Sequence, residues 1–296
     1  MADRSTALIV GASRGLGLAL AEEWLKRDAC VIATVRSASQ QLKTLQDRFP
    51  GSLEIEIVDI ADVASVRALR DRLDNRTFDV LFVNAGICKA NEETPSTVDE
   101  QDFLDMMLTN ALGPMRVIEL FEGRVPASGV LAVMSSELGS ITGNVGRWEL
   151  YSSSKAALNM LMKCFAARHR GDRRAMLLVA PGWVRTDMGG TTASLSVEES
   201  IPVVVDSVER SRGKPGLRFI DRNNRTLPWW QQRQTEQEVL CTQLLESPEK
   251  SGAQWQARCS TPANQSAPSC GTRRRVSPGL RKAVRLRSQA SVMEMH

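Results

Sequence analysis

The sequence predicts an α/β fold, a doubly wound parallel sheet with helices on both faces. Three observations carry this. Short apolar runs alternate with amphipathic stretches through the first 229 residues. The runs are continuously apolar, as strands buried on both faces of a parallel sheet must be. Glycine, Asn and Ser cluster directly after the runs, where sheets of this kind bind ligands.

The elements follow in order. Residues 7–10 form a first strand, stopped by Gly11. Residues 15–27 read as a helix, apolar at Leu16, Leu18, Leu20, Trp24 and Leu25 and basic at its end. A second strand at 30–35 leads to a polar helix at 38–48, closed by Pro50-Gly51. A third strand covers 53–58, and a helix at 62–73 carries Val63, Val66, Leu69 and Leu73 on one side. A fourth strand at 79–83 precedes one long helix at 101–121. Strand 130–134, helix 150–169, strand 175–179, helix 196–210 and strand 217–220 complete the pattern. Right-handed crossovers between parallel strands then give the doubly wound sheet.

Composition excludes several functions. With 42% hydrophobic and 24% charged residues the 296-residue chain is of the ordinary globular class. Two His argue against a His-rich metal site, and no metal is expected. No apolar run approaches the ~18 residues of a membrane span, and the N-terminus lacks a secretory pattern. The net charge of +4 is unevenly placed: 28 Lys+Arg against 29 Asp+Glu in 1–229, but 10 against 5 in 230–296. Basicity therefore belongs to the final stretch and does not make the main body a nucleic-acid binder. None of the six Cys forms a C-x-x-C pair. Cys30, Cys88 and Cys164 lie in or beside apolar segments and are expected to be buried thiols of a reducing compartment, the cytoplasm.

The residues after the strands carry the chemistry. After the first strand stands Gly11-Ala-Ser13-Arg14-Gly15-Leu16-Gly17, a turn whose glycines let backbone approach a pyrophosphate at a helix N-terminus. Its G-x-x-x-G-x-G spacing differs from the commoner dinucleotide fingerprint, and a ligand-free glycine turn is the competing reading. After the second strand stands Arg36, with no acid at 34–37. An acid there would hold ribose hydroxyls, whereas Arg suits a 2′-phosphate, so NADP(H) is favoured over NAD(H). Arg14 could converge on the same phosphate. Asp59-Ile60 and Asn84-Ala85-Gly86 follow the third and fourth strands, Asn110 lies in the long helix, and Ser135-Ser136 follow the fifth. Pro181-Gly182-Trp183-Val184-Arg185-Thr186 follow the sixth.

Tyr151 is the single Tyr of the chain, so phenol chemistry has one place to occur. Lys155, one of eight Lys, stands four residues later and shares its helix face. A neighbouring ammonium favours the phenolate, and such a pair can protonate a carbonyl oxygen as hydride arrives or act in reverse. A polar surface pair is the alternative.

Taken together, these motifs in this order resemble the classical short-chain dehydrogenase/reductase family over residues 7–229, with a Rossmann-type fold. Gly216 to Asp221 and Leu227-Pro228-Trp229 are similar to the closing strand and motif of its carbonyl-reductase and C-factor-like branch. The resemblance implies Tyr151 as catalytic acid/base, Lys155 on the nicotinamide ribose, Ser136 on the substrate carbonyl and Asn110 holding a relay water. It implies Asp59 on the adenine, Asn84 lining the cofactor and Thr186 on the carboxamide. The glycine loop, Ile60, Ala85, Gly86, Pro181, Gly182 and Val184 complete the cofactor contacts. Two departures stand out. Val10 replaces the family's usual Thr before Gly11, which removes a hydrogen bond and predicts a looser turn. The position 13 residues before Tyr151 is Leu138 rather than Ser, which makes Ser136 the candidate through a longer 139–150 loop, with Ser135 and then Ser140 as alternatives.

Leu138, the 141–149 loop, Trp183 and Met188 are apolar or small for the most part, and predict a neutral carbonyl or alcohol as substrate in an open site. Arg147 is the one cation there, read as a solvated loop charge. Family members often form dimers or tetramers through the 101–121 and 150–169 regions, so a homo-oligomer is expected. Residues 230–296 hold nine Gln, basic clusters at 273–275 and 281–287, and no hydrophobic period beyond a short helix at 234–246. They read as a disordered basic appendage to a 1–229 enzyme domain, or as a shifted reading frame, with nucleic-acid binding the weaker alternative. The expected function is an NADP(H)-dependent carbonyl reductase or alcohol dehydrogenase. A catalytically weak NADP(H)-binding regulator on the same fold is the competitor, since fold alone does not decide function.

Overall fold

A computed structural model describes residues 4–229. The expectations for 230–296, including the short helix and basic clusters, lie outside the described residues.

Seven strands form one sheet: β1 (Thr6–Val10), β2 (Cys30–Val35), β3 (Leu53–Ile57), β4 (Val80–Val83), β5 (Val130–Met134), β6 (Ala175–Ala180) and β7 (Gly216–Asp221). Their order is β3-β2-β1-β4-β5-β6-β7, with every neighbouring pair parallel. The chain reverses direction across the sheet between β1 and β4, the switch point at which such sheets open a ligand crevice.

The helices are α1 (Gly15–Lys26), α2 (Gln40–Arg48), α3 (Val63–Arg72), α4 (Glu100–Met107), α5 (Gly113–Phe121), α6 (Glu149–Arg168) and α7 (Val197–Glu209). They form two layers. Ala7 and Ile9 of β1 pack with Leu20 and Trp24 of α1, Leu42 of α2 and Val204 of α7. Leu8 and Val10 pack on the other face with Leu69 of α3, Val117 of α5 and Phe165 of α6. The period of two along each strand thus feeds both layers, which is why the runs show no polar alternation.

Local chemistry sets the helix starts. Ser39, Asp62 and Asp99 accept backbone N–H groups at the starts of α2, α3 and α4, and Ser196 and Glu199 form a capping box on α7. The helix expected over 101–121 is interrupted. A π turn over Leu108–Leu112 separates α4 from α5. Pro114, in the first turn of α5, lacks an N–H for a helical hydrogen bond to Asn110, and Gly113 sits where an added Cβ would lie 2.9 Å from the Ile60 carbonyl oxygen. The extra residue turns Asn110 fully inward.

The described chain closes by folding back on β7. Leu227 N donates to the Phe219 carbonyl at 2.8 Å, and the Trp229 ring meets Phe219 edge-on at 5.6 Å. The Pro228 and Trp229 carbonyls accept from Ser140 Oγ at 2.6 Å and Ile141 N at 3.1 Å, so this end buttresses the 139–150 loop. The cysteines differ from expectation: Cys30 and Cys88 are half-buried, and Cys164 is exposed because it falls on the outward face of α6. Among the described residues no helix is long and apolar enough to cross a membrane, and no acidic, His or Cys cluster could hold a metal ion.

Candidate active site

A cavity of about 520 Å³ opens beyond the carboxyl ends of the strands. Gly11, Ser13, Arg14, Gly15 and Leu16 line it from the loop after β1, and Arg36 from the end of β2. Asp59 and Ile60 line it after β3, Asn84, Ala85 and Gly86 after β4, and Ser136 after β5. Tyr151 and Lys155 enter from α6, and Pro181, Gly182, Val184 and Thr186 from the segment after β6. Two expected site residues do not line the cavity. Gly17 lies in the first turn of α1, where an added Cβ would meet the Gly11 carbonyl oxygen at 2.0 Å, so its role is close packing of the turn. Asn110 is buried behind the wall.

The glycine loop is held firmly although Val10 precedes it. Gly11 N donates to Thr34 Oγ1 at 3.2 Å, and Ala12 N to the Thr34 carbonyl at 2.7 Å. Asn84 Nδ2 donates to the Gly11 carbonyl at 2.8 Å, and Ser39 Oγ to the Ser13 carbonyl at 2.7 Å. The hydroxyl expected from residue 10 thus comes from the adjacent strand, and the turn is pinned at several points.

Ser136 and Tyr151 lie side by side, and their hydroxyl contact favours the phenolate. The two alternatives to Ser136 are engaged elsewhere: Ser135 Oγ donates to Asn159 Oδ1 at 2.7 Å, and Ser140 Oγ to Pro228. Lys155 is buried, with Nζ donating to the Met134 carbonyl at 3.0 Å and lying 5.7 Å from the Tyr151 ring centre. Burial pushes the Lys155 ammonium down to about 8. Burial also raises the Tyr151 phenol above its ordinary value, outweighing the Ser136 contact. Desolvation therefore dominates both groups, and the depression of the phenol expected from Lys155 is not what this pocket produces.

Asn110 is committed to structure. Its Oδ1 accepts from Ile87 N at 2.8 Å, and its Nδ2 donates to the Ile87 carbonyl at 2.8 Å and to Ser154 Oγ at 3.0 Å. The side chain ties the π turn to the loop after β4 and to α6.

Arg36 is exposed and has no hydrogen-bond or ion-pair partner among the described residues. Arg14 does not converge with it. The Arg14 guanidinium is paired with Asp187, in the segment after β6. On the side beyond Tyr151, the cavity is lined by Leu138, Trp148, Trp183 and Met188, with the Arg147 guanidinium 5.8 Å above the Trp183 ring. Trp148 holds a left-handed backbone (φ +50°) and meets the Tyr151 ring edge-on at 5.9 Å.

The model of the short chain dehydrogenases matches residues 5–195. The chain belongs to the short-chain dehydrogenase family. Among similar proteins, the C-signal of Myxococcus xanthus is 32% identical over 171 residues, 55% of this chain and 100% of that one. A Burkholderia multivorans protein assigned to the short-chain dehydrogenases/reductases, solved with bound NADP, is 49% identical with a TM-score of 0.75 over 77% of this chain and all of its own. A carbonyl reductase from Pseudomonas aeruginosa PAO1 in complex with NADP is 38% identical with a TM-score of 0.71, again over 77% of this chain and all of its own. The Rossmann-like fold and the oxidoreductase family are thus those that the sequence predicts.

Three pocket features of this dehydrogenase have no signal in sequence order. Thr34 acts through a cross-strand bond from a residue 23 positions away. Asp187 neighbours an expected contact, Thr186, but its partner lies 173 positions away. Ile87 and Thr109 line the cavity from the loop after β4 and from the π turn.

Proposed function

We propose that this short-chain dehydrogenase is an NADP(H)-dependent oxidoreductase, with residues 1–229 as its enzyme unit, that interconverts a carbonyl and an alcohol. The observation that carries the reading is the gathering of Ser136, Tyr151 and Lys155 on one wall of the cavity. The pocket also suits the cofactor chemically. Lys155 spends one of its three donors on Met134, and the others are available to ribose hydroxyls. The glycine loop opens α1 toward a pyrophosphate, and Arg36, without a partner among the described residues, lines the cavity after β2, where a 2′-phosphate would need a cation. The two NADP-bound relatives support the same choice over NAD(H).

A bound reduced nicotinamide supplies the hydride. Ser136 would hold the substrate oxygen by hydrogen bond. Tyr151, a neutral phenol in this buried setting, would give its proton to that oxygen as negative charge develops, and would take it back in the oxidative direction. Lys155 would orient the ribose and stabilise the phenolate left behind. Asp59 would meet the adenine, Asn84 the cofactor and Thr186 the carboxamide. Leu138, Trp148, Trp183 and Met188 would pack a small, neutral, largely apolar substrate, since aromatic walls favour such groups.

NADPH consumption against a panel of aldehydes and ketones tests the reading. Tyr151→Phe is expected to cut turnover by roughly 10²–10⁴-fold. Full activity in that variant would remove Tyr151 from the mechanism. The C-signal relative favours a second reading, a cofactor-binding regulator of weak catalysis. Saturable NADPH binding with no turnover across the panel is its signature.

Self-association is proposed through α4, the π turn and α6. Leu104 and Leu112 on one side, and Met160, Leu161 and Cys164 on the other, expose apolar surface at helical spacing. A second copy presenting the same face would cover it. The free Cys30, Cys88 and Cys164 thiols support a cytoplasmic site of action.

A further inference from the structure

We propose that Asp187 tunes cofactor selection by competing with the cofactor's 2′-phosphate for Arg14, an inference that rests on the NADP(H) reading. Arg14 immediately precedes α1, and its guanidinium forms an ion pair with the Asp187 carboxylate. Both residues line the cavity. The segment after β6 reaches the glycine loop there, for a Cβ added to Gly15 would lie 3.7 Å from Thr186 Cγ2.

Sheet order gives this pair its meaning. From β1, which leads into Arg14, β2 with Arg36 at its end lies on one flank, and β4, β5 and β6 lie on the other. A guanidinium held by Asp187 is thus turned toward the β6 flank, away from Arg36. To serve a phosphate beside Arg36, Arg14 must leave Asp187. Asp187 itself is presented by an ordered turn: Gly189 N donates to Thr186 Oγ1 at 3.1 Å, and Trp183 Nε1 to the Gly189 carbonyl at 2.9 Å. The partner that moves is therefore the long Arg14 side chain.

The energetics permit the exchange. Arg14 and Asp187 are 67% and 78% exposed, and ion pairs so exposed are weak. A phosphate dianion offers Arg stronger, forked hydrogen bonds than one carboxylate does. Arg36 then supplies a constant contact and Arg14 a conditional one, whose strength Asp187 sets.

Equilibrium binding of NADPH and NADH to the full chain, read by the fluorescence of the reduced dinucleotide, tests this in the wild type, Asp187→Asn, Arg14→Gln and the double variant. Asp187→Asn is expected to tighten NADPH about three-fold, the size of an exposed ion pair, and NADH by less. Arg14→Gln should weaken NADPH and abolish the response to Asp187→Asn, because coupled residues are not additive. Weaker NADPH binding in Asp187→Asn, an equal shift for both dinucleotides, or an undiminished Asp187→Asn effect in the Arg14→Gln background would each overturn the competition. Absence of saturable binding of either dinucleotide to the wild type would instead refute the cofactor reading itself, and the competition with it.

Discussion

Lys155 Nζ donates to the Met134 carbonyl at 3.0 Å, which anchors a buried ammonium at the carboxyl end of β5, 5.7 Å from the Tyr151 ring centre. The bond fixes where the charge sits, and burial makes that charge costly. Both consequences are measurable.

The first is a pH dependence of stability. Burial lowers the Lys155 ammonium to about 8 from its ordinary 10.5. Between these values the unfolded chain binds more protons than the folded one, so stability rises with pH in that window. Tyr151 is raised above 10.0, so its contribution is present below that pH and is lost as pH climbs past it. Thermal unfolding should show the wild type gaining on Lys155→Met between pH 8 and 10.5, and losing ground to Tyr151→Phe above pH 10. Flat differences across both windows would contradict the burial argument.

Thr34→Val is expected to destabilise the protein by about 1–3 kcal/mol, since the near-isosteric change leaves Gly11 N without its acceptor. Urea unfolding gives the stability. The same variant should bind NADPH more weakly, because the loosened turn is the one proposed to meet the pyrophosphate.

Asn110→Ala should cost roughly 2 kcal/mol or more, because Ile87 N, the Ile87 carbonyl and Ser154 Oγ all lose a buried partner. Asn110→Asp keeps the acceptor for Ile87 N but sets a buried carboxylate oxygen against the Ile87 carbonyl, so it should be no more stable than Ala. Urea titrations of the three proteins check this order.

Met160→Lys combined with Leu161→Lys places charge on the exposed apolar face of α6. Size-exclusion chromatography with light scattering should show a smaller assembly than the wild type. An unchanged mass would mean that this face is not the self-association surface.

Much of the architecture is legible from residue order because it follows from short-range rules. The runs ending at Val10, Val83 and Met134 are apolar on both faces, and only a covered parallel sheet uses such strands. Tyr151 and Lys155 are readable as a pair because helical spacing alone puts them on one face. What escapes depends on long-range or register effects. The π turn before Pro114 shifts one hydrogen-bond register and leaves no hydrophobic period behind it, so 101–121 reads as a single helix. The Arg14–Asp187 pair needs the loops after β1 and β6 to meet, which no local pattern records. The elevated phenol of Tyr151 depends on how completely α6 and its neighbours exclude water, a property of packing rather than spacing.

The strand order also dictates how the chain assembles as it leaves the ribosome. β1 emerges first but lies inside the sheet, between β2 and β4. A nascent chain that has made β1, β2 and β3 exposes the bare edge of β1 until Val80–Val83 appear. From then on each new strand docks on the one made just before it, through β5, β6 and β7. Growth thereafter is one-directional, with a single bare edge that passes from β4 to β5 and then to β6 as each new strand docks.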